Sequence, residues 1–228
     1  MTHSLSNTNR EKITAAIKHN ELNTAGEIYC VVARKSASYF WVVLAWGMFL
    51  ALLIPALFAL FNIDLAQIIF GRLQAWSSHN RNDINSDNIY VLLLLQALIF
   101  LCATMIGRNR GLLMAIVPKF IKRQGVHKYA RDQFLAHGIH QTDDRTGVLI
   151  YVSLAEHMVE IVADKGIYTQ VDKAVWGEAV AKILIKTKEG DLTDGLIDGI
   201  NDIGAILAAH FPPSETNENE ISDSVVFI

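Results

Sequence analysis

Hydrophobic positions along this chain follow three different patterns. Residues 8–22 place Ile13, Ala16 and Ile17 on one side, a spacing that predicts an amphipathic helix. GEIYCVVARKS comes next, and in it Ile28, Cys30 and Val32 alternate with the equally apolar Tyr29, Val31 and Ala33. A strand that is apolar on both faces is one covered on both sides, as in a sheet flanked by helices. So short a strand is not stable alone and must pair with strands further along the chain.

From residue 40 the periodicity gives way to continuous apolar sequence. Residues 40–61, FWVVLAWGMFLALLIPALFALF, carry no charged side chain. As a helix they rise about 33 Å, against a hydrocarbon core of roughly 30 Å. Residues 89–106, IYVLLLLQALIFLCATMI, have Gln96 and Thr104 as their clearly polar members and rise about 27 Å. The two runs predict a transmembrane helical hairpin. Pro55 costs the first span its hydrogen bond to residue 51, which predicts a kink. Between the spans Leu65, Ile68, Ile69, Leu73 and Trp76 recur at helical spacing, predicting an interfacial helix over 64–76. The turn-rich NRNDINSDN follows.

Beyond the spans the polar pattern returns. PKFIKRQGVHKYARDQFLAHGIH is basic and amphipathic, with Lys119, Lys122, Arg123, Lys128 and Arg131 facing the single acid Asp132. Beside a bilayer, each cation that reaches an anionic leaflet contributes about 1 kcal/mol. GVLIYVSL (147–154) and MVEIVAD (158–164) are separated by a three-residue turn and read as a β-hairpin. Val171, Val175, Val180, Ile183 and Leu184 predict a helix over 170–187 that stops at Gly190. A last helix over 192–210 closes at Pro212 and Pro213.

The fold class that results is α/β, a small central β-sheet sandwiched between helices, with a transmembrane α-helical hairpin inserted in it. Residues 1–39 supply its first helix and strand and 40–107 the hairpin. Residues 108–213 supply the rest, and 214–228 form an acidic tail ending in the apolar SVVFI, whose docking the sequence leaves open. Arg34, Lys35, Arg108, Arg110, Lys119, Lys122 and Arg123 flank the spans on the terminal side, against Arg72 and Arg81 in the loop. That asymmetry predicts a multi-pass protein with both termini cytoplasmic, and a cell inner membrane is the expected location.

Composition changes little in this picture. Half the residues are hydrophobic, and the net charge of −3 gives no reason to expect nucleic acid as a partner. Cys30 and Cys102 form neither a CxxC pair nor a disulfide framework.

The candidate chemistry is acidic. Asp143 and Asp144 stand immediately before GVLIYVS, and Asp164 at the end of the next strand. One of the pair with Asp164 would offer oxygens to a divalent cation, Ca²⁺ or Mg²⁺. Adjacent aspartates are more commonly the residues of a polar turn, since their side chains bond their own backbone. His137 and His140, with His157 or Asp143 as a third ligand, would suit a transition metal, but no HExxH or CxxC pattern supports it, and Gly138 and Ile139 read as a helix stop at which the histidines are solvated or capping. Asp194, Asp198 and Asp202 form one acidic helical face rather than an EF-hand loop. Gly195 and Gly199 point to close packing against the sheet. No nucleophile triad, Walker loop or dinucleotide fingerprint is present.

The helix, NTAGEIYCVVARKS, DQFLAHGIHQTDDRTGVLIYVSLAEHMVEIVADKGI, VWGEAV and the late Gly-rich helix together resemble a TPM domain. With FPPSETNENEI closing the chain, they are similar to a bacterial membrane-protein subfamily in which a hairpin follows the first strand. The resemblance implies an α/β sandwich. It implies no single activity, because TPM proteins have been associated with acid phosphatase activity, divalent-cation binding, complex repair and receptor assembly. Where relatives tend to carry Asp or Asn before the Gly-Val-Leu strand, this chain has Arg145 and Thr146. An arginine there repels a cation.

The expected function is a non-catalytic protein-interaction module for assembly or quality control of membrane complexes. Its partners are the lipid bilayer and a membrane or cytoplasmic protein. The alternative is a metal-dependent phosphohydrolase using Asp143, Asp144 and Asp164. The topology has a direct check: a reporter fused after Ile228 that works only in the cytoplasm should be active, and activity confined to an exported reporter would refute the orientation.

Overall fold

The computed structural model describes residues 6–61, 84–213 and 219–228. The chain divides into two compact units, Met1–Ala37 with Lys119–Ile228, and Ser38–Pro118.

The first unit is organised by β1 (Glu27–Ala33), every residue of which is buried. Helix α1 (Asn7–Glu21) precedes it and begins at Ser6, whose hydroxyl accepts the Asn9 N–H. β2 (Gly147–Ser153) runs parallel to β1, with Glu27 opposite Gly147 and Ala33 opposite Ser153. β3 (Met158–Ala163) folds back antiparallel on β2. The expected pairing of GEIYCVVA with GVLIYVS and the expected hairpin are therefore both present.

The C-terminal segment supplies a strand that sequence pattern left undecided. Val225–Phe227 forms β4, parallel to β1 on its other side, so the sheet order is β3-β2-β1-β4. Residues 219–228 are thus part of the domain rather than a separate acidic tail.

Three longer helices, α5 (Lys119–Ala136), α7 (Gly177–Glu189) and α8 (Leu192–His210), and the short α6 (Lys165–Tyr168) cover the sheet together with α1. Side chains of a strand alternate between faces, so one sheet builds two cores. Ile28, Cys30, Val32, Val148 and Ile150 pack with α1, α7 and α8. Tyr29, Val31, Leu149 and Tyr151 pack with Val126, Ala130 and Phe134 of α5. This double coverage is why the strands read as continuous apolar runs.

Two expectations for the late helices need correction. The helix expected over 170–187 is broken: a 3₁₀ turn, Lys173–Trp176, capped by the Asp172 side chain on Ala174 N–H, precedes α7. Gly195 and Gly199 do not meet the sheet; a Cβ on either would strike Lys186 or Ile183 of α7. The acidic face of α8 has the same neighbour, since Lys182 pairs with Asp202 at 2.7 Å and Lys186 with Asp198 at 2.6 Å. Gly190, at φ 92°, ends α7 as its sequence position predicts.

The second unit contains α2 (Phe40–Leu60), α3 (Ile84–Arg108) and α4 (Arg110–Ile116). The interfacial helix expected over 64–76 lies outside the described residues. Among the described residues, Phe40–Phe58 is long and apolar enough by itself to cross a membrane. Leu92–Arg108 meets that measure only together with Arg110–Ile116, from which it bends by 106°. The cause of the bend is Asn109, which adopts extended backbone and caps α4 with its side chain on Gly111 and Leu112 N–H.

Much of the apolar surface of this unit is left uncovered. Large apolar side chains such as Trp46, Met48, Phe49, Leu94 and Leu101 are exposed, a pattern that costs a protein dearly in water. Gly47 sits so close to Ala103 that a Cβ would clash, the close approach that small residues allow between apolar helices. Pro55 cannot donate to the Ala51 carbonyl, and Gln96 of α3 donates its Nε2–H to that carbonyl at 3.4 Å. The polar residue of the second apolar run therefore answers the proline of the first. Replacing Gln96 by Leu should weaken the α2–α3 pairing by about 1 kcal/mol in a reversible SDS-denaturation assay of the full chain; unchanged stability would show that this bond carries nothing.

Candidate functional site

The acidic loop is held by threonine hydroxyls bonded to backbone groups. Thr142 Oγ1 accepts Thr146 N–H at 3.1 Å, Thr146 Oγ1 donates to the Ala25 carbonyl at 2.8 Å, and Arg145 takes a φ of 54° between them. Asp143 and Asp144 are exposed on this loop. Asp164 is 6% exposed, and its Oδ1 accepts Lys165 N–H at 2.6 Å as the N-cap of α6. Gly166 packs against the Asp144 and Arg145 carbonyls, which a Cβ would approach within 2.5–2.9 Å. The loop is thus brought beside α6, but Asp164 holds the helix start.

The histidines are used separately. His137 stacks on Tyr29 with ring centroids 4.7 Å apart, and its ring nitrogens meet Tyr29 Oη at 3.1 Å and Gln133 Oε1 at 3.2 Å. His140 lies against Phe134, and His157 occupies the β2–β3 turn at φ 51°. Among the described residues, no group of three or more His, Cys, Asp or Glu side chains is arranged to hold a metal ion. The residues present therefore do not form a ready site for the divalent cation that the acidic loop suggested.

A second carboxylate cluster lies where α1, β1 and residues 219–223 meet. Glu21 Oε1 accepts Ile28 N–H at 2.8 Å, and Glu27 accepts Glu220 N–H at 3.4 Å. Glu220 Oε2 accepts Asp143 N–H at 3.0 Å, which ties the acidic loop to the C-terminal segment. Asn219 Nδ2 donates to Asp223 at 2.6 Å, and Lys18 approaches Asp223 at 3.7 Å. Burial first, and then the nearby Glu27 and Asp223 charges, push the Glu21 carboxyl up to about 8. Burial likewise raises that of Glu27. Near neutral pH Glu21 therefore retains its proton, while Glu27 Oε2 is buried without a hydrogen-bond partner among the described residues.

A third cluster is buried at the other end of the sheet. Ser36 Oγ lies 2.9 Å from Tyr151 Oη and donates to Ser153 Oγ at 2.8 Å, and Ser36 N–H donates to Glu156 at 3.1 Å. Ser153 Oγ also donates to Glu156. Tyr151 is pushed up to about 12 by burial, so it acts as a neutral hydrogen-bonding group. These bonds fix the chain just before the apolar unit begins at Ser38.

The remaining open feature is a groove of about 430 Å³ along β3, between α5 and α7. Arg123 and His127 line one side, Val180 and Leu184 the other, and Trp176 closes one part of it. His127 pairs with Glu160 of the strand itself at 2.8 Å. Nothing in the sequence marked this groove, because its residues come from α5, β3, α6, the 3₁₀ turn and α7. The carboxylate cluster left a weak trace, an acid at position 27 heading an otherwise apolar strand.

Comparison with known proteins agrees with this architecture. Residues 108–206 match the family model of the TPM domain. The chain carries a TPM domain. β1 lies before the matched segment, yet it pairs with β2 inside it, so the residues ahead of the apolar unit complete the TPM sheet. Among solved structures, the chain is similar to BA42 protein from the psychrophilic bacterium Bizionia argentinensis, determined by NMR. The TM-score is 0.57 at 19% identity, covering 100% of this chain and 98% of that one, a likeness of fold. Curated proteins gave no match.

The raised Glu21 carboxyl predicts a pH dependence. Its ordinary value is 4.5 and its folded value about 8, so the folded state binds the proton more tightly than the unfolded one. Stability from this group is highest below 4.5, falls as pH rises to about 8 and is level above it. Glu21→Gln keeps the acceptor for Ile28 N–H and cannot ionise. In micelles its Tm should exceed that of the unsubstituted protein at pH 9, with the difference shrinking towards pH 4; a pH-independent difference would contradict the assignment.

Proposed function

We propose that this protein is a membrane-tethered TPM domain that binds another protein, in the assembly or quality control of membrane complexes. The observation that carries the reading is the groove along β3, where a strand of the central sheet faces open space between two helices. The exposed apolar side chains of α2 and α3 support a membrane location for the tether. In this reading they form two spans, with Asn109 turning the chain along the bilayer surface and both termini in the cytoplasm. The basic α5, which exposes Arg123, His127 and Lys128, suits an anionic leaflet or an acidic partner.

A binding role asks of the chain only a shaped surface held in place, and the polar clusters serve that end. The Ser36 network fixes the chain where it leaves the domain, and the carboxylate latch holds the C-terminal segment that bears β4. Affinity purification of the full chain from detergent-solubilised membranes should recover one stoichiometric protein partner, and the chain itself should stay in the pellet after alkaline carbonate washing. A partner-free protein would remove the binding reading. Phosphatase activity lost on Asp143→Ala would replace it with the phosphohydrolase.

A further inference from the structure

The hydrogen-bond alternation of the β-hairpin defines what the groove presents. Asp164 N–H donates to the Gly147 carbonyl at 2.9 Å, which makes that pair a hydrogen-bonded one. Antiparallel strands alternate bonded and non-bonded pairs. With Val148 opposite Ala163 and Val152 opposite Val159, the N–H and C=O groups of Val159, Ile161 and Ala163 point away from β2. β3 is the last strand on its side of the sheet. Those groups find no backbone partner among the described residues. In the same groove, Trp176 is 5% exposed and its indole N–H is buried without an acceptor among the described residues.

Resting on the reading that this domain binds a protein, we infer that the groove takes an extended segment of the partner, which adds to β3 as a fifth strand. Strand addition satisfies main-chain donors and acceptors along an open edge, while side-chain pockets select the sequence. The edge is recessed: Val159 is 8% exposed and Ala163 4%, and side chains of α5 and α7 line both walls. A second copy would bring its own flanking helices, which would collide before the two edges reached the roughly 4.8 Å spacing of paired strands. A single extended segment has no such layers. On the α7 side Val180 and Leu184 call for apolar residues, and on the α5 side Arg123, which forms no ion pair among the described residues, calls for a carboxylate. The segment is therefore an apolar strand with an acidic residue on one face.

The test pans phage-displayed random dodecapeptides on the full chain in nanodiscs, then measures the affinity of the recovered peptides after synthesis. Ile161→Pro deletes an outward N–H and no bond within the sheet, and Arg123→Glu leaves the strand untouched. Each should weaken the recovered peptides about tenfold, and the selected sequences should alternate apolar and other residues with an acid in common. If Ile161→Pro unfolds, Arg123→Glu decides. Peptides indifferent to both changes, or none recovered, would overturn the inference. So would self-association of the chain that Ile161→Pro abolishes, which would assign the edge to a second copy. A native partner retained equally by unsubstituted and Ile161→Pro protein would overturn strand addition while leaving protein binding intact.

Discussion

Parallel pairing of β1 with β2 joins Glu27 to Gly147 across the whole apolar unit, and the rest of the domain is arranged around it. The entropy of closing a loop grows only with the logarithm of its length. A long insertion between two strands is therefore tolerated if the strands bury enough on both faces. These do: β1 and β2 are buried at every position, and their alternating side chains make both cores at once. β3 and β4 then add to the two sides of this pair, and the helices cover it.

Polar groups mark where this arrangement is held rather than merely packed. Beside the end of β1, Ser36, Tyr151, Ser153 and Glu156 satisfy one another in the domain interior. At the beginning of β1, buried carboxyls take backbone N–H groups from β1 itself and from the C-terminal segment. In the apolar unit, Gln96 supplies the hydrogen bond that Pro55 cannot. In each place a side chain meets a backbone group that its own element leaves open. This is where unpaired polar groups would be most costly.

The acidic loop shows how local sequence can suggest chemistry that tertiary structure puts to another use. Asp143 and Asp144 occur side by side, but it is Asp143's backbone N–H that the structure engages, through Glu220. Asp164 caps the helix that follows its strand. The open feature is instead the outer edge of β3, where Val159, Ile161 and Ala163 in sequence look like any other core positions.

The pattern of apolar residues determined the strands GEIYCVVA, GVLIYVS and MVEIVA, most of the helices around them and the apolar insertion, because burial leaves a local record, as a helical repeat or as a continuous apolar run. The stop at Gly190 was legible for a similar reason, since a positive φ selects glycine. The strand order, the docking of Val225–Phe227, the contact of Gly195 and Gly199 with α7 and the bend at Asn109 were decided only in three dimensions. So were the burial that raises the Glu21 carboxyl and the groove along β3. Each depends on which distant residue becomes a neighbour, and desolvation, hydrogen-bond pairing and open edges are properties of neighbours rather than of sequence.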